Sequence, residues 1–522
     1  DMQNALISSQ GIPGSINTTG DLVGQAVYLL GSVDPVTGQG PVSGPMMVDL
    51  DPTASTTTQI FVGGLQIGGN DNIQLLIRSN TVCSSFDVAG RVLLPKKMDA
   101  PGSFHASGTF QLTFPLSSIV SWNQNSSGLR SIIQAPGATG IVLRFVMFEM
   151  CPTMTTEQLD ADYAAGKCTP NPSIGRVIGT LAPAFADEPL NCQPGRQLVN
   201  QSTGNAGYAD LGDTGYLSID MVNVIPKETF RAVRDDITSP IGPNADYGTV
   251  TISAGSTTLT TLEPTSRFLF DYYVYGGIVD LPLTADQLQA VRTSALAINA
   301  PGKVAGTTLQ ATESTYRIYA DQRNVYLEDY PNGLSITLQV RYLGGAVPSP
   351  TEIGLKAIPA ADPPTYKEPQ YWDFLDYPDS LTVSAGQLSA SFPVTVKPGS
   401  AAQAGFVALT CTANGLDSSA YFTNFRKYAQ TDFGIPQGTT ITWPLMYPNV
   451  LRFHYLAFPA MSRYIPLNQP DAIMGAKNPI LARTSDAYKG TTLFMPVVRS
   501  MSPCQRALLR AYLTGEPWQP PQ

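Results

Sequence analysis

Only two imidazoles, His105 and His454, occur in the 522 residues, and any catalytic or redox centre would have to be built around that scarcity. Haem, copper and non-haem iron sites draw on several imidazoles or thiolates, and zinc sites on clustered Cys and His. The six cysteines, Cys83, Cys151, Cys168, Cys192, Cys411 and Cys504, are dispersed and form no C-x-x-C pair. His454 stands among Phe453, Tyr455 and Phe458, which suits a packed core imidazole better than a ligand. His105 follows Phe104 in an alternating segment, where it is exposed or satisfied by a backbone group. No cofactor is expected. Hydrolytic motifs are missing too. There is no G-x-S-x-G elbow, no Walker loop and no G-x-G-x-x-G, so neither an α/β-hydrolase nor a nucleotide-binding reading has support. The chain is not expected to be an enzyme on its own.

Carboxylates leave more room. Asp210, Asp213 and Asp220 fall within D-L-G-D-T-G-Y-L-S-I-D. Several oxygen donors on one loop suit calcium, although the spacing is not that of an EF-hand and Asp with Gly simply favours turns. Asp373 with Asp376, and Glu328 with Asp329, have aromatic neighbours in Trp372, Phe374 and Tyr330. Acids beside rings can serve glycoside chemistry or line a domain interface. On the second reading Tyr371, Trp372, Phe374 and Tyr377 form an interaction surface. Cys151 with Cys168 or Cys192 would close a modest disulfide loop. The alternative is that these are small buried apolar residues.

The chain is long enough to hold two to four domains. Hydrophobic residues make up 43% and charged residues 14%, against about 25% charged in an ordinary domain. Thr, Ser, Asn, Gln, Gly and Pro cover the surface instead, which suits proteins that pack side by side, since little charge is desolvated on assembly. The net charge of -9 argues against nucleic acid and anionic membranes, which need clustered Lys and Arg. Lys96-Lys97 is the only adjacent lysine pair. No apolar run reaches the roughly 18 residues of a transmembrane helix. The chain opens on Asp1 with neither an initiator Met nor a signal peptide, so removal of a leading segment is an expectation.

Alternation predicts mainly β structure, as multi-domain antiparallel sandwiches with a C-terminal helical hairpin. Residues 1–187 form a first β region, with strands near 26–30, 59–62, 74–77, 104–114, 141–148 and 173–181. Gly63-Gly64 and Gly68-Gly69 are read as its turns, and 154–165 as a short helix or inserted loop. Residues 188–347 form a second region, containing a helix over 286–295 capped by Thr284. The Pro- and aromatic-rich stretch 348–379 reads as a linker, and 380–445 as a small immunoglobulin-like module. In 446–522, residues 449–464 are apolar at helical spacing. A closing helix has Ser502 as N-cap, Pro503 at its first position and Gly515 to stop it, with Leu508, Leu509, Tyr512 and Leu513 as its buried stripe.

Several collinear segments resemble the β-rich, non-ferritin half of iminophenylpyruvate dimer synthases, the violacein and chromopyrrolate synthase family. They are 141–150 (IVLRFVMFEM), 173–183 (SIGRVIGTLAP), 217–226 (LSIDMVNVIP), 276–283 (GGIVDLPL), 324–328 (NVYLE) and 449–513, with FHYLAFPAMSRYIPL and LFMPVVRSMSPCQRALLRAYL. In that family a ferritin-like helical domain follows this region and couples aromatic imines. This chain ends at Gln522, where that domain would begin, and shows no four-helix pattern with Glu and Glu-x-x-His. The resemblance implies architecture and a habit of partnering an oxidase-like unit, and it carries over no catalytic residue.

The expected role is therefore a non-catalytic structural or interaction protein that self-assembles or docks onto a partner. The alternative is an accessory or substrate-shaping subunit of an oxidase whose ferritin-like or haem subunit is separate. A carbohydrate-binding role comes third. Low Lys with abundant Thr, Ser and Pro favours a periplasmic or secreted location, whereas the family resemblance favours the cytoplasm. The sequons at Asn17, Asn125 and Asn200 do not decide between them.

Overall fold

The computed structural model describes residues 5–40, 44–49, 58–90, 106–148, 176–212, 215–226, 245–263, 277–304, 306–359, 373–419 and 421–521. In the first unit, β1 (Val27–Leu30), β2 (Met46–Asp49), β3 (Thr58–Ile67), β4 (Leu75–Ser84) and β7 (Ile119–Trp122) make one antiparallel sheet. Its order is β1-β3-β4-β7, with β2 also on β3. Strands β5 (Asp87–Gly90), β6 (Ala106–Pro115), β8 (Ala138–Phe148) and β9 (Arg176–Phe185) make the other, in chain order. Alternate residues of both sheets, Val62, Leu65 and Ile77 against Phe110, Leu112 and Phe145, fill one core, as a sandwich requires. Gly63-Gly64 is not a turn. It lies inside β3, at a shift of register against β4, whereas Gly68-Gly69 does join β3 to β4.

The short helix α1 (Ser127–Ile133) is started by Ser126, whose hydroxyl accepts from Leu129 N–H at 3.1 Å. Asp21 is tied beside it by Gln10 Nε2 (2.9 Å), Ser127 Oγ (2.9 Å) and Gly128 N–H (3.2 Å). Burial alone would raise the Asp21 pKa, but the hydrogen bonds from Ser126, Gln10, Ser127 and Gly128 outweigh it and hold the carboxyl well below 3.8. A depressed folded value means that Asp21 stabilises the native state fully above pH 3.8, and that this contribution is lost as pH falls through the folded value. Denaturation curves of Asp21→Asn are therefore expected to show a clear loss of stability at pH 7 that shrinks steadily below pH 4.

The second unit is one eight-stranded sheet ordered β14-β13-β16-β17-β10-β11-β12-β15. Its strands are β10 (Arg196–Asn200), β11 (Ala206–Leu211), β12 (Tyr216–Asp220), β13 (Val250–Ala254), β14 (Thr257–Leu262), β15 (Ile278–Pro282), β16 (Leu296–Val304) and β17 (Thr307–Glu313). Inward residues from strands along the whole sheet, among them Leu198, Ile219, Ile252, Leu281, Ile298 and Leu309, share a single core with Val291. Val291 belongs to α2 (Ala285–Thr293), where the predicted Thr284 cap forms a full capping box with Gln287.

The third unit departs from the predicted boundaries. It comprises β18 (Tyr316–Tyr319), β19 (Asn324–Tyr326), β20 (Leu334–Tyr342), β21 (Thr351–Pro359), β22 (Leu375–Asp376), β23 (Ser380–Val383), β24 (Ser389–Val396), β25 (Gly405–Ala413) and β26 (Tyr421–Lys427). Sheets β18-β20-β24-β22 and β19-β26-β25-β21-β23 face each other across one core. The expected linker 348–379 thus contains an interior strand: β21 pairs along its length with β25, Ile353 facing Ala413 and Pro359 facing Val407. No separate module begins at 380, because β24 pairs with β20 and completes a sandwich begun at Tyr316. Parallel pairing of β19 with β26 departs from the antiparallel rule.

The C-terminal region is helical, but not a hairpin. It holds α3 (Trp443–Asn449), α4 (Leu451–Ala457), α5 (Pro470–Gly475), α6 (Lys477–Arg483) and α7 (Pro503–Thr514). Prolines at 448, 459, 466 and 470 break what a longer apolar pattern would have continued. The last helix starts and stops as its residues predict: Ser502 and Gln505 form a capping box, and Gly515 takes φ 76°. Leu508, Leu509 and Leu513 are buried around Met446, Ile473 and Trp518, with Tyr512 half-buried at the edge.

Candidate functional site

Polar residues singled out from the sequence are mostly committed to the frame. Asp220 accepts an ion pair from Arg144 at 2.6 Å and a hydrogen bond from Val222 N–H at 2.9 Å, so it joins the first unit to the second. Register places Asp210 opposite Ser218 and Asp220 opposite Tyr208, on neighbouring strands rather than one loop. Asp213 lies outside the described residues. With Asp220 already neutralised by Arg144, the calcium reading is not supported. Among the described residues no group of three or more His, Cys, Asp or Glu could hold a metal ion.

Cys192 is a free, buried thiol whose hydrogen points to Asp321 at 3.8 Å. The other two cysteines of the expected disulfide, Cys151 and Cys168, lie outside the described residues. Burial raises the Cys192 thiol, and Asp321 raises it further. Cys83 is likewise raised, and Cys411 is pushed up to about 12, both by burial. None of the three offers a thiolate for catalysis. Asp321 also accepts from Leu190 N–H (3.0 Å) and Asn191 N–H (2.8 Å), pinning the connection between the first two units onto the third.

The aromatic surface is corrected in the same way. Phe374 is 0% exposed in the core of the third unit, and Tyr377 is half-buried with its hydroxyl accepting from Ala357 N–H at 2.9 Å. Tyr371 and Trp372 lie outside the described residues. Asp373 pairs with Lys397, while Glu328 lies 3.9 Å from both Arg426 and Lys489. Both acids thus lie beside cations.

His454 is the described imidazole, and His105 is outside the described residues. Nδ1 is 2.8 Å from the Val450 carbonyl, which can only accept, so Nδ1 carries the proton and Nε2 accepts from Ser500 Oγ at 3.2 Å. A serine on an imidazole is the start of a nucleophile–base pair, but the orienting group here is a carbonyl rather than a carboxylate. Burial lowers the His454 pKa below 6.5, opposed only by the Val450 bond. The imidazolium that catalysis would need is thus disfavoured, and the pair is a satisfied core contact.

The C-terminal region also exposes large apolar side chains. On α4, Phe453 is 58% and Leu456 67% exposed, and the following turn presents Tyr464 at 83%. The opposite side, Leu451 and His454, is buried. Arg452 and Arg463 are exposed within the same stretch, and no Asp or Glu occurs from 449 to 469. The sequence signal was available: 451–458 is apolar on every side except at Arg452 and His454, more than one buried face accommodates.

No protein-family model matches the chain, and no curated protein matches it. Solved structures resemble it weakly, among them three from bacterial adhesion systems. One is the CsuC–CsuE chaperone–tip adhesion subunit pre-assembly complex from the archaic chaperone-usher Csu pili of Acinetobacter baumannii. It shows 13% identity over 26% of this chain and 68% of that one, with a TM-score of 0.16. A 1.5-MDa bacterial ice-binding adhesin shows 10% identity over 68% of this chain and 91% of that one, at 0.12. The CupB6 tip adhesin of Pseudomonas aeruginosa shows 10% identity over 81% and 98%, also at 0.12. At these TM-scores neither a shared fold nor a function transfers, and the chain stands as a β-rich, multi-unit protein with a helical C-terminal region.

Proposed function

We propose that this chain is a non-catalytic structural protein that associates with further copies of itself through the face built on α4. The carrying observation is the exposure of Phe453 and Leu456, three residues apart on one face of α4, since neighbouring exposed apolar side chains on a folded protein mark contact surfaces. A second copy is the occupant that the charges favour. The stretch 449–469 holds Arg452 and Arg463 and no acid, while the whole chain carries a net charge of -9. On this reading the negative net charge of an identical molecule complements the cationic, apolar face, and a head-to-tail contact of that kind closes into a ring or extends as a filament. A surface with only 14% charged residues suits such packing, and its Thr-, Ser- and Pro-rich, Lys-poor composition favours a periplasmic or secreted setting.

Sedimentation velocity across a concentration series tests this reading. Self-association is expected in the native sequence and is weakened about tenfold or more in Leu456→Glu, the scale of losing an anchoring contact. A protein that stays monomeric up to its solubility limit, or a variant that assembles undiminished, overturns it. The resemblance to iminophenylpyruvate dimer synthases motivates a second reading, that of an accessory subunit to a separate oxidase. On that reading a redox subunit co-purifies with the native protein, and the α4 face contacts that subunit instead.

A further inference from the structure

Three β units and a helical region, each with its own core, would ordinarily move against one another unless their interfaces were specifically fastened. The stretch 486–501 crosses between the helical region and two of those units. On the first unit, Ser32 and Thr492 bond reciprocally: Thr492 N–H donates to Ser32 Oγ at 2.9 Å, and Ser32 N–H to Thr492 Oγ1 at 3.3 Å. Tyr488 Oη donates to Asp34 at 2.8 Å. On the third unit, Lys489 Nζ sits 3.9 Å from Glu328 and 5.1 Å from the Tyr326 ring.

Arg499 holds this stretch in shape. It is 1% exposed and adopts φ 49°, a left-handed conformation that costs a non-glycine residue energy. Its guanidinium donates to the carbonyls of Thr491 (2.6 Å), Lys489 (3.1 Å) and Val497 and stacks 3.7 Å from the centre of the Phe61 ring in β3. Its own carbonyl accepts from Arg426 at 2.8 Å and from Tyr428 Oη, both of the third unit. One buried residue thus touches three bodies. Burial draws its pKa down to about 10, which leaves it charged at neutral pH.

We infer that residues 486–501 are a clamp that locks the first unit, the third unit and the helical region into one rigid body, with Arg499 as its positioning residue. This does not depend on self-association: a monomer would be clamped equally.

Hydrogen exchange read by mass spectrometry tests the clamp in Arg499→Met, which keeps an apolar stem over Phe61 and removes the carbonyl bonds. Exchange is expected to speed up about tenfold or more not only within 486–501 but also at Ser32 and across 326–328, while β6, β8 and β25 stay protected. Acceleration confined to 486–501, with Ser32 and 326–328 unchanged, overturns the inference. Should Arg499→Met fail to fold, Thr492→Val removes the Oγ1 acceptor of the Ser32 N–H and keeps the backbone bond from Thr492 N–H to Ser32 Oγ. Faster exchange at Ser32 and at Lys489 is then expected, and an unchanged profile at both positions contradicts the clamp.

Discussion

Gly63→Ala is expected to destabilise the protein by about 3 kcal/mol, at the upper end of what overpacking a closed interior costs. A Cβ at this position would stand 2.1 Å from the Gly31 carbonyl oxygen and 2.3 Å from Ser32 Cα. Both are backbone atoms and cannot rotate aside. The cost is purely steric, because Gly63 itself does not take a positive φ. The neighbouring chain crosses β3 here on its way from β1, and that crossing carries Ser32 to Thr492. Gly69→Ala is the control: nothing lies within 4 Å of its added carbon, so a change within about 0.5 kcal/mol is expected. Urea denaturation of both variants measures the contrast, and equal midpoints would show that the crossing is not closely packed.

The second large effect sits inside the eight-stranded sheet. Arg196 is paired with Glu313 through Nε at 2.7 Å and through a second, shorter contact at NH2. Two further guanidinium hydrogens go to the carbonyls of Val291 and of Ser294 (2.7 Å), at the end of α2. Glu313 also accepts from Leu296 N–H at 2.8 Å. Both side chains are nearly sealed from water, at 4% and 3% exposure. Removing one partner strands a buried charge, which costs about 3–5 kcal/mol. Glu313→Ala is therefore expected to fall in that range. The double change Arg196→Met with Glu313→Leu is expected to recover most of the loss, since apolar replacement of a buried pair is often neutral. A double variant as unstable as the single one would mean that the carbonyl bonds to α2, not the charge pair, hold this corner.

Local signals were readable and distant ones were not. The caps of α2 and α7 lie within four residues of what they cap, and β8 covers the whole of the expected strand at 141–148. The strand β21 was hidden because its partner β25 lies some fifty residues further on and because prolines surround it. Phe374 reads as surface by its aromatic company, yet the short β22, paired with β24, turns it into the core. Asp220 resembles a loop ligand until Arg144, 76 positions earlier, is brought against it. The glycine pairs at 63–64 and 68–69 look alike in sequence, yet the first lies inside β3 and the second joins β3 to β4.

The proposal of a molecule that works by contact rests on the exposed apolar face of α4. Native mass spectrometry of the purified chain across a concentration series tests it. Integer multiples of the bare chain mass that grow with concentration are the predicted result. A lone monomer at every concentration, or a chain carrying a firmly bound metal or haem, would contradict it.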